Sequence, residues 1–319
     1  MDEFHLIKKY FSKLSKNNKS SLNLNDDVFF DKSRNLIVSV DTYVEGVHFL
    51  NFNKPDLIIK KILRASLSDL ICKGVMPKFY FLSGSGDKKN FSPLNLNKIS
   101  KSLKEEQKKY NIFLCGGDTV FSKKLSFTIV SIGFSKKIIY RNNAKINDDI
   151  YVTGNLGDSY IGLNILNKKI KINKKNRRYF TEQYYLPNIQ LKITKKLLSF
   201  ANTSIDLSDG LFADLGKLIN KQKLSYKLNL KDIPISKNLK KLINIKKFKK
   251  INIISQGDDY QILFTANPSK SRIILNTGKS LGIKISKIGK ICSKLQKYQV
   301  IDTNGEKITP KKLGYYHCF

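Results

Sequence analysis

The spacing of apolar residues in the first half of the chain predicts two helices among several short strands. Residues 55–73 carry apolar side chains at three- and four-residue steps, at Ile59, Ile62, Leu63, Leu67, Leu70 and Ile71. This period places the apolar side chains on one side of a helix. A second helix is predicted over residues 95–110, and short apolar runs predict strands over residues 36–40, 79–82, 112–115 and 126–134. The Ser-Gly-Ser-Gly sequence at residues 83–86 is expected to form a turn.

The second half of the chain follows a polar, aperiodic stretch at residues 142–149, which we interpret as a domain boundary. Beyond it we predict a strand over residues 150–153, a helix over residues 159–166, a helix from residue 211 to about 222, and further short strands. Because strands and helices are mixed in both halves, we predict an α+β (mixed α/β) protein with two domains, residues 1–142 and 143–319.

Length and composition are consistent with two such domains. The chain has 319 residues, of which 41% are hydrophobic, enough to form buried cores. No apolar run approaches the roughly 18 residues needed to cross a bilayer, and the N-terminus lacks the layout of a signal peptide. We therefore expect a cytoplasmic protein without a membrane partner. The widely spaced cysteines form no C-x-x-C pair and are expected to be isolated buried thiols, at Cys72, Cys115, Cys292 and Cys318.

The formal charge of +34 raises the alternative of a nucleic-acid-binding protein, because clustered Lys and Arg neutralise phosphates. The lysines are instead spread along the whole chain, and no zinc-finger or RNA-binding motif accompanies them. A lysine-rich composition on solvated faces accounts for this distribution, so we expect no nucleic-acid partner. The charge would still attract anionic nucleotides.

Aspartates that adjoin apolar segments and are flanked by Ser or Gly recur through this basic sequence. They lie in Asn25-Asp26-Asp27, Ser39-Val40-Asp41, Leu67-Ser68-Asp69, Gly116-Gly117-Asp118, Asp206-Leu207-Ser208-Asp209 and Gly257-Asp258-Asp259. A carboxylate in such a setting is costly to bury unless it is paired or bound to a metal. Magnesium prefers oxygen ligands and commonly joins carboxylates to substrate phosphates, as in phosphoryl transfer. The whole set therefore predicts a shared divalent-cation site.

For any single aspartate, a turn or a helix cap is the simpler interpretation. We predict that Asp158 caps the helix after Gly157 and that Asp214 is an exposed helix residue. Other familiar sites have no support. The sequence has no G-x-x-x-x-G-K-[ST] phosphate loop, no kinase H-R-D loop and no G-x-S-x-G elbow. Its three histidines lack paired His or Cys partners for zinc.

Short motifs spread over nearly the whole chain carry a family resemblance. They are Asp26-Asp27 and residues 38–49 (VSVDTYVEGVHF), 66–70 (SLSDL), 116–119 (GGDT), 153–159 (TGNLGDS), 205–211 (IDLSDGL), 256–260 (QGDDY) and 314–317 (GYYH). In this order they resemble the bacterial thiamine-phosphate kinases, within the superfamily that includes aminoimidazole ribonucleotide synthetase. The VEGVHF element is similar to the thiamine-phosphate kinase version and not to that of the sister enzymes.

The resemblance implies an N-terminal α/β domain whose mixed sheet pairs with that of a second subunit in a homodimer, and a C-terminal α+β domain. It also implies several Mg²⁺ ions, with ATP bound in the cleft between the domains. The implied metal ligands are Asp27, Ser39, Val40, Asp41, Asp69, Asp118, Asp206 and Asp209. The implied catalytic residues are Asp27, Asp41, Asp69, Asp118 and Asp209. ATP is expected at Gly117, Asp118, Arg141 and Ser208, and thiamine monophosphate at His48, Asp258 and Tyr315.

Three positions depart from the family pattern. Val40 stands where Thr is usual, so a ligand role there falls to its backbone carbonyl. Asn25 stands where Gly is usual before the aspartate pair, and an asparagine can adopt the left-handed conformation of such a turn. Asp258 stands where Glu is usual, which shortens the reach to substrate by one methylene.

The implied reaction is ATP-dependent phosphorylation of thiamine monophosphate to thiamine diphosphate, the last step in making that cofactor. Its acceptor phosphate is already ionised, so we expect direct in-line transfer without a phosphoenzyme. Arg141 would clamp a phosphate or form an interdomain salt bridge. His48 would bind the substrate phosphate or pack beneath Phe49. Tyr315 would stack on a thiamine ring or fill the core.

Two other functions remain open at this point. A sister enzyme of the aminoimidazole ribonucleotide synthetase type would release ADP with formylglycinamidine ribonucleotide instead of thiamine phosphate. A basic RNA-binding protein would retain RNA in a salt-sensitive way and show no magnesium-dependent ATP turnover.

Overall fold

A mixed six-stranded sheet forms the first half of the molecule. The computed structural model describes residues 3–293 and 298–317. Within that part, the first half contains α1 (Glu3–Leu6), β1 (Phe29–Asp31), β2 (Leu36–Val44), α2 (Pro55–Cys72), β3 (Pro77–Gly86), α3 (Pro93–Tyr110), β4 (Phe113–Gly116), β5 (Thr119–Phe121) and β6 (Ser126–Phe134). The strand order is β1-β2-β6-β3-β4, with β5 paired to the end of β3. Neighbours are antiparallel except β4 and β5, which run parallel to β3.

A second sheet, with seven strands among the described residues, forms the other half. Its elements are β7 (Asp149–Thr153), α4 (Asp158–Leu166), α5 (Lys174–Tyr185), α6 (Thr194–Leu197), β8 (Thr203–Asp206), α7 (Leu211–Leu218), β9 (Leu224–Asn229), α8 (Lys237–Lys246), α9 (Lys250–Ile254), β10 (Ile262–Ala266), α10 (Ser271–Leu281), β11 (Ile285–Ser293), β12 (Gln299–Ile301) and β13 (Lys307–Ile308). The order is β13-β12-β9-β11-β7-β10-β8, and β12 with β9 is the parallel pair. The predicted mixed α/β fold class is confirmed.

Helix α2 lies between the two sheets and is buried on nearly all sides. Pro55 occupies its first turn, where the missing N–H costs nothing. Its apolar residues pack in a core cluster that also contains Tyr80 of the first sheet and Tyr151 and Phe264 of the second. Polar residues of the helix are buried as well, including Lys61. A helix apolar on one side only was predicted, and the second sheet covers the other side.

The Ser-Gly-Ser-Gly segment is not the turn that we predicted. Residues 83–86 continue β3, where Ser83 pairs with Thr128 and Ser85 with Ser126. Glycine suits the close packing here, since a Cβ on Gly84 would lie 3.1 Å from the ring of Phe91, closer than ordinary van der Waals contact. The Ser-Gly-Ser-Gly sequence that favoured a turn therefore belongs to a strand that packs beneath the ring of Phe91.

Three smaller expectations also need revision. Helix α7 ends at Leu218 and does not reach residue 222. Asn25 has φ −128° and is not left-handed. Of the cysteines, Cys72 is buried as predicted, Cys115 is exposed, Cys292 is partly buried, and Cys318 lies outside the described residues. No helix in the described part of the chain is long and apolar enough to span a bilayer.

Candidate active site

Three aspartates that are far apart in sequence converge where the two sheets meet. Asp27 precedes β1, Asp69 lies on α2, and Asp206 ends β8. One carboxylate oxygen from each lies within 4.8 Å of the others. In the described part of the chain no other group of at least three His, Cys, Asp or Glu side chains is this tight. Oxygen donors at this spacing suit a hard divalent cation such as magnesium.

Hydroxyl groups orient two of these carboxylates. Ser39 of β2 donates to Asp69 Oδ2 at 2.5 Å and lies 3.5 Å from Asp41 Oδ2. Ser68, one residue before Asp69 on α2, donates to Asp206 Oδ2. Asp69 therefore faces both β2 and β8 from the helix between them.

Val40 lies on the opposite face of β2 from Ser39 and Asp41, because successive side chains of a strand alternate. Its side chain is 62% exposed. It has no oxygen, so any ligand at this position would be the backbone carbonyl.

Burial and mutual repulsion favour the protonated forms of these acids. Burial raises the pKa of Asp69 well above its usual value, and the charges of Asp41 and Asp206 add to this effect. Burial also raises the pKa of Asp41. Burial raises the pKa of Asp206 to about 6 against a lowering hydrogen bond from Ser68. In each case the ionised carboxylate is destabilised because it lacks solvation. A bound cation would stabilise this ionised form.

Two cationic side chains cover the Asp26–Asp27 end of the cluster. Lys73 Nζ lies 2.7 Å from both Asp26 Oδ1 and Asp27 Oδ2. Arg141 pairs with Asp27, and its backbone N–H donates to Asp26 Oδ2 at 3.0 Å. Burial alone would lower the pKa of Lys73, but Asp26 and other nearby groups, including Asp206, together outweigh this effect and raise the pKa. Sequence reasoning missed Lys73.

Asp209 lies apart from the three converging aspartates and pairs with Lys217. Asp214, which we predicted to be exposed, is fully buried. Its Oδ2 accepts the backbone N–H groups of Asp209 and Gly210 at 2.9 and 3.0 Å, and its Oδ1 lies 2.9 Å from Lys217 Nζ. Asp214 is therefore a buried anchor for the turn that presents Asp209.

Asp158 is also buried and does not cap its helix as predicted. Gly157 occupies the N-cap position of α4. The Asp158 carboxylate instead accepts hydrogen bonds from Tyr179 at 2.8 Å and from Ser236 at 2.7 Å. Burial raises the pKa of Asp158 to about 6.

The predicted nucleotide-contacting residues lie on different segments. Gly117 and Asp118 form an exposed link between β4 and β5. A Cβ at Gly117 would overlap the carbonyl oxygen of Leu82, so only glycine fits this link. Asp118 Oδ1 accepts the N–H of Thr119 at 2.8 Å. Ser208 lies in the loop before α7, where its carbonyl accepts the N–H of Asp258 at 2.8 Å.

The predicted substrate-binding residues lie in a second group. The rings of His48 and His317 are 5.3 Å apart, and those of Tyr315 and His317 are 5.0 Å apart. His48 Nδ1 accepts the Val44 N–H at 3.0 Å. Burial, followed by the charge of His317, lowers the pKa of His48. In a neutral ring the proton is then on Nε2, which is free to donate to a ligand.

Asp258 joins this group through a buried lysine that the sequence analysis did not identify. Lys61 Nζ of α2 lies 2.9 Å from Asp258 Oδ1, 3.3 Å from the Tyr184 carbonyl and 4.0 Å from the centre of the Tyr184 ring. Asp258 has φ +71°, and Tyr260 donates its hydroxyl to Asp258 Oδ1 at 3.0 Å. The C-terminal segment also reaches the turn that presents Asp209, because the Tyr315 N–H donates to the Asp209 carbonyl at 3.0 Å.

Comparison with known proteins identifies the family. Residues 25–135 match AIR synthase related protein, N-terminal domain. The chain is 36% identical over 323 residues to thiamine-monophosphate kinase of Buchnera aphidicola subsp. Acyrthosiphon pisum, covering 99% of this chain and 98% of that one. It is 31% identical to thiamine-monophosphate kinase of Escherichia coli K12, with the same coverage.

Solved structures share the fold. AaThiL complexed with AMPPCP and TMP superposes with a TM-score of 0.84 at 24% identity, covering 99% of this chain and 97% of that one. Thiamine monophosphate kinase from Aquifex aeolicus gives 0.79 at 24% identity, covering 96% and 98%. The near-complete match to curated relatives above 30% identity confirms the predicted family. This chain is a kinase of the thiamine-monophosphate kinase family.

Proposed function

We propose that this chain is a cytoplasmic kinase that transfers the γ-phosphoryl group of ATP to thiamine monophosphate and so forms thiamine diphosphate. The convergence of Asp27, Asp69 and Asp206 carries the proposal, because it supplies oxygen donors where two anionic substrates would have to meet. Its family relatives are thiamine-monophosphate kinases, and a protein of the same fold holds AMPPCP and TMP.

We propose that Asp27, Asp41, Asp69 and Asp206 hold Mg²⁺ ions, with Ser39 and the Val40 carbonyl as further oxygen donors. The donor set fits, since all are hard oxygen ligands and the three closest carboxylates are already grouped. Bound magnesium would neutralise the charge of the transferring phosphoryl group. Asp118 and Asp209 lie outside the tight group, and we propose that they hold further Mg²⁺ ions that are bound to the phosphates of ATP.

The remaining predicted residues would bind and orient the substrates. Gly117 lets the backbone approach ATP closely, and Ser208 offers a hydroxyl beside Asp209. Arg141 would contact an ATP phosphate from its position next to Asp27. Such contacts align the reacting groups without forming a bond to them.

Thiamine monophosphate would lie beside His48, Asp258 and Tyr315. His48 would donate from Nε2 to the substrate phosphate because its Nδ1 is occupied by Val44. Tyr315, whose side chain is exposed, would stack on a thiamine ring. Asp258, held by Lys61, would accept a hydrogen bond from the pyrimidine amine.

The chemistry needs no general base, since a phosphate monoester is largely ionised at pH 7. We propose direct in-line transfer, with the protein supplying alignment and charge compensation.

The test of the proposed function is mass-spectrometric detection of thiamine diphosphate from thiamine monophosphate and Mg-ATP. Absence of product, or ADP release with formylglycinamidine ribonucleotide instead, would reject this function. Label retained on the protein after incubation with γ-labelled ATP would reject direct transfer.

We propose that residues 1–142 and 143–319 are the two domains and that ATP lies in the cleft between them. The first sheet spans residues 29–134 and the second spans residues 149–308, so the boundary falls between the sheets. The aspartate cluster takes residues from both sides of this boundary, as a cleft site requires.

We propose further that two copies pair through the first sheet. One face of this sheet packs on α2, while the other carries a cross-strand row of Val40, Val130 and Phe81, of which Val40 and Phe81 are exposed. Phe134, 52% exposed, lies on the same face. An exposed apolar sheet face of this kind is typical of an interface.

Phe81→Lys should give a monomer in light scattering, while Leu94→Lys, an exposed position on α3, should leave the dimer intact. A monomeric unsubstituted protein would refute the pairing.

A further inference from the structure

Lys73 is an unusual residue because its ammonium group is completely buried beside the aspartate cluster. Its side chain is 0% exposed. Nζ lies 2.7 Å from Asp26 Oδ1, 2.7 Å from Asp27 Oδ2 and 2.9 Å from the carbonyl oxygen of Ser204. An ammonium group has three N–H donors, so these three acceptors satisfy it fully. A lysine desolvated in this way requires the negative charge around it.

The position of Lys73 is fixed by the backbone as well as by these ion pairs. It follows directly on α2, where its N–H donates to the carbonyls of Leu70 and Ile71. Its own carbonyl accepts the Ile139 N–H at 3.0 Å. Ser204 of β8 donates its hydroxyl to the Cys72 carbonyl. The backbone around Lys73 is therefore held by Ile139 and by Ser204 of β8.

Asp26 is held just as firmly. Its Oδ1 accepts the Asp27 N–H at 2.9 Å in addition to Lys73, and its Oδ2 accepts the Arg141 N–H at 3.0 Å. Asp26 and Asp27 together carry two negative charges, and Lys73 and Arg141 carry two positive charges. This end of the cluster is therefore neutral by itself.

The other end of the cluster differs. Asp41, Asp69 and Asp206 receive hydrogen bonds from the neutral hydroxyls of Ser39 and Ser68. Among the described residues, their side chains form no ion pair within 4.0 Å. The need for an added cation is concentrated at this end.

We propose that Lys73 is a positioning residue that acts as a built-in cation of the metal site. It fixes Asp26 and Asp27 before any metal binds, and it stays between them when magnesium binds, in place of a divalent ion. Magnesium then binds among Asp69, Asp206 and the side of Asp27 that faces them, and not between Asp26 and Asp27. The inference rests on the proposed function, since that function supplies the magnesium.

The first test compares Lys73→Met with the unsubstituted protein by calorimetric titration with Mg²⁺ and by melting with and without Mg²⁺. Methionine keeps a long unbranched side chain, one atom shorter than that of lysine, and removes the charge. We expect the variant to bind one more ion per chain. Its melting temperature should be lower without metal, and Mg²⁺ should raise it by more than in the unsubstituted protein. An unchanged ion number together with an unchanged Mg²⁺-induced rise would overturn the proposal.

Lys61→Met is the matched control. Lys61, within α2, is also a buried lysine, and it pairs with Asp258 instead of the aspartate cluster. Its loss should lower the melting temperature by the same amount with and without Mg²⁺. A Mg²⁺-dependent effect as large as that of Lys73→Met would show that burial of a lysine, and not its place in the cluster, is responsible, and would overturn the proposal.

The second test needs no variant and so does not depend on the folding of Lys73→Met. Crystals of the unsubstituted protein with Mn²⁺ and a non-hydrolysable ATP analogue would be examined by anomalous diffraction. We expect Mn²⁺ at Asp69 and Asp206 and none between Asp26 and Asp27. Mn²⁺ bridging Asp26 and Asp27 with Lys73 displaced would overturn the role of Lys73 and leave the proposed function intact. No Mn²⁺ anywhere in the cluster would overturn the proposed function, and the role of Lys73 with it.

Discussion

Asp206→Asn should make the metal-free protein more stable while weakening its response to magnesium. The Asp206 side chain is 4% exposed, and its pKa is raised from 3.8 to about 6, chiefly by burial. An asparagine is similar in shape, accepts the Ser68 hydroxyl in the same way, and directs its amide toward the neighbouring carboxylates. The substitution therefore removes a poorly solvated charge without opening a cavity.

The magnitude follows from the shift in pKa. A rise of about 2 units corresponds to about 3 kcal/mol, which ionised Asp206 subtracts from the free energy of unfolding at pH 7. The folded protein binds the proton more tightly than the unfolded chain does, so this loss develops as pH rises from about 4 to about 6. It is nearly absent below about pH 4. Asp206→Asn should thus gain about 3 kcal/mol at pH 7 and about 1 kcal/mol at pH 4.5.

Urea denaturation in EDTA at pH 7 and pH 4.5 measures these differences directly, because both proteins share every other titrating group. Repeating the pH 7 measurement in Mg²⁺ should raise the stability of the unsubstituted protein by more than that of the variant. The reasoning is refuted if Asp206→Asn is no more stable at pH 7 without metal, or if its advantage is the same at both pH values.

Three further substitutions test other parts of the molecule. Asp69→Asn should lower kcat by roughly 10²–10³ with an unchanged circular dichroism spectrum, and turnover close to that of the unsubstituted protein would remove Asp69 from the metal site. Gly117→Ala should raise the KM for ATP by about tenfold or more, because the added Cβ would overlap the Leu82 carbonyl oxygen and displace the link; an unchanged KM contradicts the predicted nucleotide contact. Glu106→Gln should lower the free energy of unfolding, measured by urea denaturation, by about 3–5 kcal/mol, because it leaves the buried Arg64 unpaired. Glu105→Gln, in an exposed pair, should lower it by under about 1 kcal/mol. Equal losses would contradict this difference.

The local apolar pattern predicted the long helices and strands, and the order of the motifs predicted the family. Both signals are read directly along the chain. Helix α2 was expected over residues 55–73 and spans Pro55–Cys72. Strand β6 was expected over residues 126–134 and has those bounds. Each element has a period that its own residues reveal. The grouping of Asp27, Asp69 and Asp206 could be expected only from the ordered motifs, since no local rule joins residues so distant.

Burial of charged groups could not be predicted from local pattern. Lys61 and Lys73 look like any other lysine in a chain with 59 Lys and Arg residues, and their burial depends on tertiary packing. Asp214 is an acidic residue on a short helix, and we predicted its side chain to be exposed. It is buried because the turn before α7 offers two backbone N–H groups to its carboxylate and Lys217 neutralises it. These partners are local in sequence, but the burial of this helix end is set by tertiary packing.

The placement of α2 between the sheets has a consequence for how the protein loses its structure. The core around this helix takes Tyr80 from one half and Tyr151 and Phe264 from the other, so neither half encloses it independently. Calorimetry should then show one melting transition instead of two. A fragment cut after residue 142 would leave a large apolar helix surface in water, and such fragments aggregate.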